Sequence, residues 1–349
     1  MTIRRRRSAI VGTIAAFALL AAACGSDDNG DSEPSTTDAA ASTDASDDGG
    51  SGETLRIGIV APSASNDLAF TQSMVDSVER LGETRDIDVA ITDGTFVVED
   101  AAAAIRGYAD DGVDLVIAHG SQYGGPLQEI APDFPDTAFA WGTAVDTFDL
   151  PNVSAYSVEA DQGGYVNGVI AAQLTESNVL GVVGPIEVGD AKLYIDGFVA
   201  GVAEQNPDAT VNVNYIDSFS DVLLASEAAT SLIGNGADAL TGTAQMVVGA
   251  TGEAVSAGIP WFGTQSNQTD LGPDVVVASQ VYHWEVALSE LLDNLDAGTL
   301  GGEVYILTLE NGGLVMEFND LYELDPAIRD SADQTIAGLT DGSITTGVS

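Results

Sequence analysis

The sequence predicts an α/β protein of two doubly wound parallel-sheet lobes joined by a hinge. Three observations carry this expectation. From Thr54 onward, short apolar runs alternate with longer segments at helical spacing. About ten such runs exceed one comfortable sheet. The pattern also repeats on either side of Pro151-Asn152, as two similar halves would. Repeated strand–helix units of this size require parallel pairing with helices on both faces.

Taken in order, Leu55-Arg56-Ile57-Gly58-Ile59-Val60 is a buried strand. Residues 67–81 have helical spacing through Phe70, Met74, Val78 and Leu81. Strand 87–91, helix 99–108, strand 113–118, a mostly helical 125–134 and strand 137–141 complete the first half. Helix 162–175 and strand 179–183 restart the cycle, followed by helix 191–204, extended 210–215 and helix 221–233. Short strands at 237–240 and 259–262 flank a helix over 248–257. The first lobe is expected to take residues 54–157 and part of 283–349, and the second 158–282.

Open parallel sheets bind ligands beyond the carboxyl ends of their strands. The loops there include 61–67, Thr92-Asp93-Gly94, His119-Gly120-Ser121-Gln122-Tyr123, Gly142-Thr143, 184–187, Asp217-Ser218-Phe219, Thr241-Gly242-Thr243-Ala244-Gln245 and Gly263-Thr264-Gln265-Ser266-Asn267-Gln268. Hydroxyls, amides and aromatics dominate them, and cations and clustered carboxylates are scarce. Such walls suit a neutral polar ligand with a flat apolar face.

Composition excludes several other classes. Of 349 residues, 54 are Asp or Glu and 10 are Lys or Arg, for a formal net charge of −44. Every acid follows Cys24, and four of the cations are Arg4-Arg5-Arg6-Arg7. Such a surface repels phosphate backbones, so no nucleic-acid partner is expected, nor an anionic membrane bound through a polybasic face. Hydrophobic content of 45% supports a sizeable core. The single cysteine rules out an internal disulfide and a multi-cysteine metal site. The scattered acids form no metal-ligating motif, and no cofactor is expected. His119-Gly120-Ser121 lacks the G-x-S-x-G elbow of a hydrolase, so catalysis is not expected either.

The first 24 residues have the layout of an export signal: the arginine run, an apolar stretch over 9–20 too short to span a bilayer, and Leu20-Ala21-Ala22-Ala23-Cys24. Small residues before the lone cysteine resemble a bacterial lipobox, which implies lipidation of Cys24. The arginines suit either the general or the twin-arginine export route. Residues 25–53, rich in Ser, Thr, Asp, Ala and Gly, are expected to be a disordered acidic tether. An anchor, a leash and a globular body imply a protein held at the outer face of the cytoplasmic membrane.

Several segments of the body resemble the basic membrane protein family, the PnrA-like purine nucleoside receptors of ABC importers, whose fold is the type I periplasmic binding protein. Asp67-Leu68-Ala69-Phe70-Thr71-Gln72 is similar to that family's DxSFNQ segment. Asp196-Gly197-Phe198-Val199-Ala200-Gly201 followed by Asn206-Pro207-Asp208 is similar to its GFxxGxxxxNPD segment. Gly181-Val182-Val183-Gly184, Gly236-Ala237-Asp238 and Ser279-Gln280-Val281 fall in family order. The resemblance implies a base stacked between Phe70 and Phe219. It also places Thr71, Thr143, Gln265, Asn267 and Tyr282 where the family has Asn, Asp, Asp, Asp and Lys. The charged ribose clamp is thus replaced by neutral groups, which select a different donor–acceptor pattern.

The expected ligand contacts are Asp67, Phe70, Thr71, Gln72, His119, Ser121, Gln122, Thr143, Phe219, Gln245, Gln265, Asn267 and Tyr282. The expected partners are a small-molecule ligand and the permease and ATPase subunits of an importer. Hinge closure would trap a purine nucleoside, a nucleobase or a related heteroaromatic compound. The alternatives are a ligand-sensing lipoprotein that signals to a membrane receptor and, less favoured, a secreted hydrolase. As for single residues, Lys192, the only lysine, suits a surface pair with Asp190 or Asp196, or a clasp on the ligand. Trp141 and Trp261 suit the core, and Trp284 the cleft.

Overall fold

A computed structural model of the chain describes the backbone of Arg4–Arg5 and residues 54–348. The export signal beyond those two arginines, the lipidation site at Cys24 and the tether lie outside the described residues.

The first sheet opens with the two-residue strand β1 (Arg4–Arg5) at its edge. It continues with β2 (Leu55–Val60), β3 (Ile87–Thr92), β4 (Leu115–Ala118), β5 (Ala138–Gly142) and β6 (Val153–Val158). The second lobe holds β7 (Val179–Gly184), β8 (Thr210–Tyr215), β9 (Leu240–Gly242), β10 (Trp261–Gln265) and β11 (Val276–Tyr282). Two late strands are shared out: β12 (Val304–Leu307) joins the first sheet and β13 (Leu314–Phe318) the second. The sheet orders are β1-β3-β2-β4-β5-β6-β12 and β13-β11-β10-β9-β7-β8. All pairs are parallel except β11–β13. In each lobe the strand order reverses beside the lobe's first long strand, β2 or β7, and opens a crevice at the carboxyl ends.

The helices cover both faces, so β4 and β10 are buried throughout. In the first lobe, α1 (Phe70–Leu81) packs Met74 and Val78 against Ile57, Ile59 and Val89, and α8 (Glu285–Asp296) lies beside α1. On the other face, α2 (Val98–Asp110) and α3 (Gly124–Ile130) bury Ile105, Tyr108 and Leu127 against Val60 and Val116. In the second lobe, α6 (Val222–Gly234) and α7 (Val247–Ala257) enclose Leu232, Val247 and Ala250 around Trp261.

The opposite face of the second sheet carries α4 (Ala160–Leu174) and α5 (Gly189–Gln205), with α9 (Pro326–Thr340) on α4. These two helices approach backbone to backbone. A Cβ on Gly164 or Gly168 would stand 2.2 Å from the carbonyl oxygen of Tyr194 or Phe198. One on Gly197 or Gly201 would stand 2.2 or 2.1 Å from that of Asp161 or Tyr165. The segment that resembles the family's GFxxG run is therefore a helix-packing device.

The alternation of strand and helix read from the sequence matches the fold class, with local shifts. The helix expected from residue 67 begins at Phe70 because the Asp67 carboxylate accepts the N–H groups of Ala69, Thr71 and Gln72, and so caps the turn from outside. The strand expected over 237–240 runs from Leu240 to Gly242. The Asp238 carboxylate instead accepts from Thr175 and from the N–H groups of Glu176 and Ser177, which fixes 237–239 as an entry loop. The elements β1, β6, β11, β12, β13, α8 and α9 are additions of the structure.

Candidate functional site

Between the lobes lies a partly enclosed cavity of about 460 Å³, solvent at its mouth included. Its wall comes from the carboxyl ends of both sheets. Pro62 follows β2, Phe96 follows β3, Gly120, Ser121 and Gln122 follow β4, and Thr143 follows β5. From the other lobe come Val188 to Ala191 after β7, Phe219 after β8, Ala244 and Gln245 after β9, and Gln265 at the end of β10. Phe70, at the start of α1, completes it. Thr143, Ala244 and Gln265 hold positive φ angles of 54°, 74° and 73°. Non-glycine residues adopt that region rarely and at a cost, and such strain gathers at ligand sites.

Of the thirteen contacts expected from the sequence, Phe70, Ser121, Gln122, Thr143, Phe219, Gln245 and Gln265 border this cavity. The other six have different surroundings. Asp67 is occupied as the cap of α1 and also accepts from Ser63 Oγ at 2.5 Å. Thr71 is fully buried against Ser63. The Gln72 amide oxygen accepts the Leu68 N–H. Gln72 and Asn267 border a separate outer groove, where Asn267 donates to Glu317.

His119 and Tyr282 stand one layer behind the wall. The His119 ring stacks on Phe70 at 3.9 Å between centroids and 4° between planes. Its Nε2 lies 3.2 Å from the Phe70 carbonyl, which can only accept, so Nε2 carries the proton. Nδ1 then accepts from Tyr156 Oη at 2.8 Å. Burial pushes the His119 pKa down to about 3, so the ring is neutral. Both ring nitrogens are thereby bonded away from Ser121. Trp284 is fully buried and meets Phe70, His119, Tyr156 and Tyr282 edge-on, with Nε1 donating to Ser73 Oγ at 2.8 Å. It supports the wall and does not line it. Lys192 pairs on the surface with Asp196 and Glu187.

Among the wall residues not expected as ligand contacts, which also include Phe96 and Val188, the one ionisable group is Asp190, in the first turn of α5, read from the sequence only as a surface partner of Lys192. The residue is half-buried on the cavity wall, and the protein packed around it desolvates its carboxyl. Tyr282 Oη donates to Oδ2 at 3.2 Å, and the Gln265 amide also reaches the carboxyl. Burial raises the Asp190 pKa against the pull of these two groups and of the backbone N–H groups of Ala191 and Asp190. The wall therefore carries one ionisable group. The amide oxygens of Gln245 and Gln265 are buried and lack partners.

Two α/β lobes around a cavity lined by strand-end loops define a two-lobed solute-binding protein of the type I periplasmic binding fold. Residues 54–339 match the family model described as ABC transporter substrate-binding protein PnrA-like, and the chain belongs to that family. A purine-binding protein of Brucella abortus is 30% identical over 240 residues, 66% of each chain. A transcriptional activator protein, med, of Bacillus subtilis is 26% identical over 78% of this chain and 86% of its own. Among solved structures, an ABC transporter solute-binding protein from Conexibacter woesei superposes with a TM-score of 0.70 and 26% identity, over 83% of this chain and 98% of its own.

Proposed function

We propose that this chain is the extracytoplasmic receptor of an ABC importer, anchored by a lipid on Cys24. Its interlobe cavity takes a flat heteroaromatic solute such as a purine nucleoside or a nucleobase. The observation that carries the reading is that Phe70 from one lobe and Phe219 from the other border the same cavity, beside the partnerless amide oxygens of Gln245 and Gln265. Aromatic faces from opposite lobes suit a flat ring, and buried acceptors without partners suit a ligand that donates to them. The purine-binding relative supports the same class. Lobe closure about the hinge then presents one shape to a permease and its ATPase, with no turnover of the ligand.

Isothermal titration with adenosine, inosine, guanosine and adenine tests the ligand class, together with mass spectrometry of small molecules carried through native purification. A folded protein that binds none of them and carries nothing would sink the reading. Lipidation is tested by a mass increase on Cys24 that a Cys24→Ala variant lacks.

A second reading, a ligand-sensing lipoprotein, draws on the relative named as a transcriptional activator. The charge of −44 opposes direct contact with DNA, so such a role would pass through a membrane receptor. Loss of solute uptake on deletion favours import; unchanged uptake with an altered transcriptional response favours sensing.

A further inference from the structure

Asp190 is the only charged side chain among the described residues that border the cavity. No described ion pair engages it: Lys192, two residues on, is held by Asp196 and Glu187. The groups that favour its carboxylate are all uncharged: the Tyr282 hydroxyl, the Gln265 amide and the backbone N–H groups of Asp190 and Ala191. The same wall offers two further acceptors, the amide oxygens of Gln245 and Gln265. Both lack partners, and Gln265 is 3% exposed. Phe70, Phe96 and Phe219 add ring faces, whose quadrupoles attract cations. The second-lobe wall thus presents acceptors and an acidic group with no described cation beside them.

We propose that this wall is a subsite for a protonated amine carried on the flat ligand, with the Asp190 carboxylate as its charge partner and the Gln245 and Gln265 amide oxygens as further acceptors. The proposal rests on the reading that the cavity holds the solute, and it replaces the neutral ligand expected from the loops with a cationic one. Burial already disfavours the charged form of this carboxyl, and an ammonium group in the cavity relieves that penalty. The strongly negative surface also raises the local concentration of cationic solutes.

Two ligand series test it by titration calorimetry at pH 7. The first is 5′-amino-5′-deoxyadenosine, adenosine and adenosine-5′-carboxylic acid; the second is tryptamine, tryptophol and indole-3-acetic acid. Within any series that binds, the amine is expected to bind at least about tenfold more tightly than the alcohol, and the acid most weakly. Asp190→Asn should erase that order while the alcohol still binds, and Lys192→Ala, outside the cavity, should preserve it. Phe70→Ala should weaken all three members. Equal binding of amine and alcohol, or an order that survives Asp190→Asn, overturns the subsite and leaves the aromatic cavity standing. Absence of binding in both series to the folded wild type overturns the cavity reading and the subsite with it.

Discussion

The Phe70 ring lies flat on the His119 ring, 3.9 Å away and 4° from parallel, and the two nitrogens of that histidine hold Phe70's own carbonyl and Tyr156 Oη. Phe70 thus borders the cavity with its rear face fixed by a residue that never reaches the cavity. A neutral imidazole is required, because the enclosed ring cannot be charged cheaply.

That requirement sets a pH dependence. The folded His119 pKa is about 3, below the ordinary 6.5, so below 6.5 the unfolded chain binds a proton that the folded chain does not. The stability due to this residue is fully present above 6.5 and is lost as pH falls toward 3, at up to about 1.4 kcal/mol per unit. A His119→Phe variant keeps a flat ring and removes the titration. Urea unfolding at pH 7, 6, 5 and 4 should therefore show the wild type losing its advantage over the variant as pH falls. Parallel stability–pH curves would contradict it.

Asp190 has the opposite sign. Its pKa is raised in the folded protein, so the folded state holds its proton to higher pH than the unfolded chain does. Its contribution is most favourable below the unfolded carboxyl value and is lost as pH rises through the folded one. Asp190→Asn should therefore raise the melting temperature of the ligand-free protein at pH 7, by about 2 °C, and the gain should shrink toward pH 3. A variant that melts lower at pH 7 would show that the carboxylate's bonds from Tyr282 and Gln265 outweigh its burial.

The fold class was legible because the strands from β2 to β5 and from β7 to β10 are short apolar runs, or in β3 and β8 alternating ones, separated by segments at helical spacing. The loops that build the cavity followed from strand ends alone. Asp190 was not legible. In the sequence it stands two residues before Lys192 and suits a surface pair, and only the fold turns Lys192 outward to Asp196 and brings Tyr282 onto Asp190. The role of His119 was hidden for a related reason. A lone histidine at a strand end carries no sign of which ring it will stack on, and the stack joins residues 49 positions apart. Asp67 shows the converse: its place beside Phe70 suggested a ligand contact, while the backbone N–H groups of α1 occupy its carboxylate.

The glycine contacts between α4 and α5 make a sharp prediction. At Gly197 and Gly201 the obstructing atoms are the backbone carbonyls of Asp161 and Tyr165, which cannot swing aside as a side chain does. Gly197→Ala or Gly201→Ala should destabilise by about 1–3 kcal/mol, since the helices must separate. Gly252 in α7 has nothing within 4 Å of its Cβ position, so Gly252→Ala should be stabilising, by about 0.5–1 kcal/mol. Urea midpoints of the three variants decide it, and a stabilised Gly201→Ala would refute the close helix contact.

The proposed closure of the lobes would draw on bonds across the cleft. Ser266 Oγ, in the loop after β10, donates to the carbonyl of Ala69 at 2.8 Å, and Gln268 Nε2 donates to that of Leu68 at 3.3 Å. Gln268 also accepts from Trp261 Nε1 within the second lobe, so its replacement would disturb that lobe's core. Ser266 makes no other described side-chain bond, and Ala69's carbonyl keeps the Ser73 N–H when the hydroxyl is removed. Ser266→Ala therefore removes a closure contact without stranding a buried acceptor, at a cost of about 1 kcal/mol. If that cost falls on the closed state alone, the closed-to-open ratio drops about fivefold and ligand affinity weakens by up to that factor. Small-angle scattering should show a larger radius of gyration for the ligand-free variant, restored by saturating ligand. An unchanged radius together with unchanged affinity would mean that the Ser266–Ala69 bond persists in both states and does not report closure.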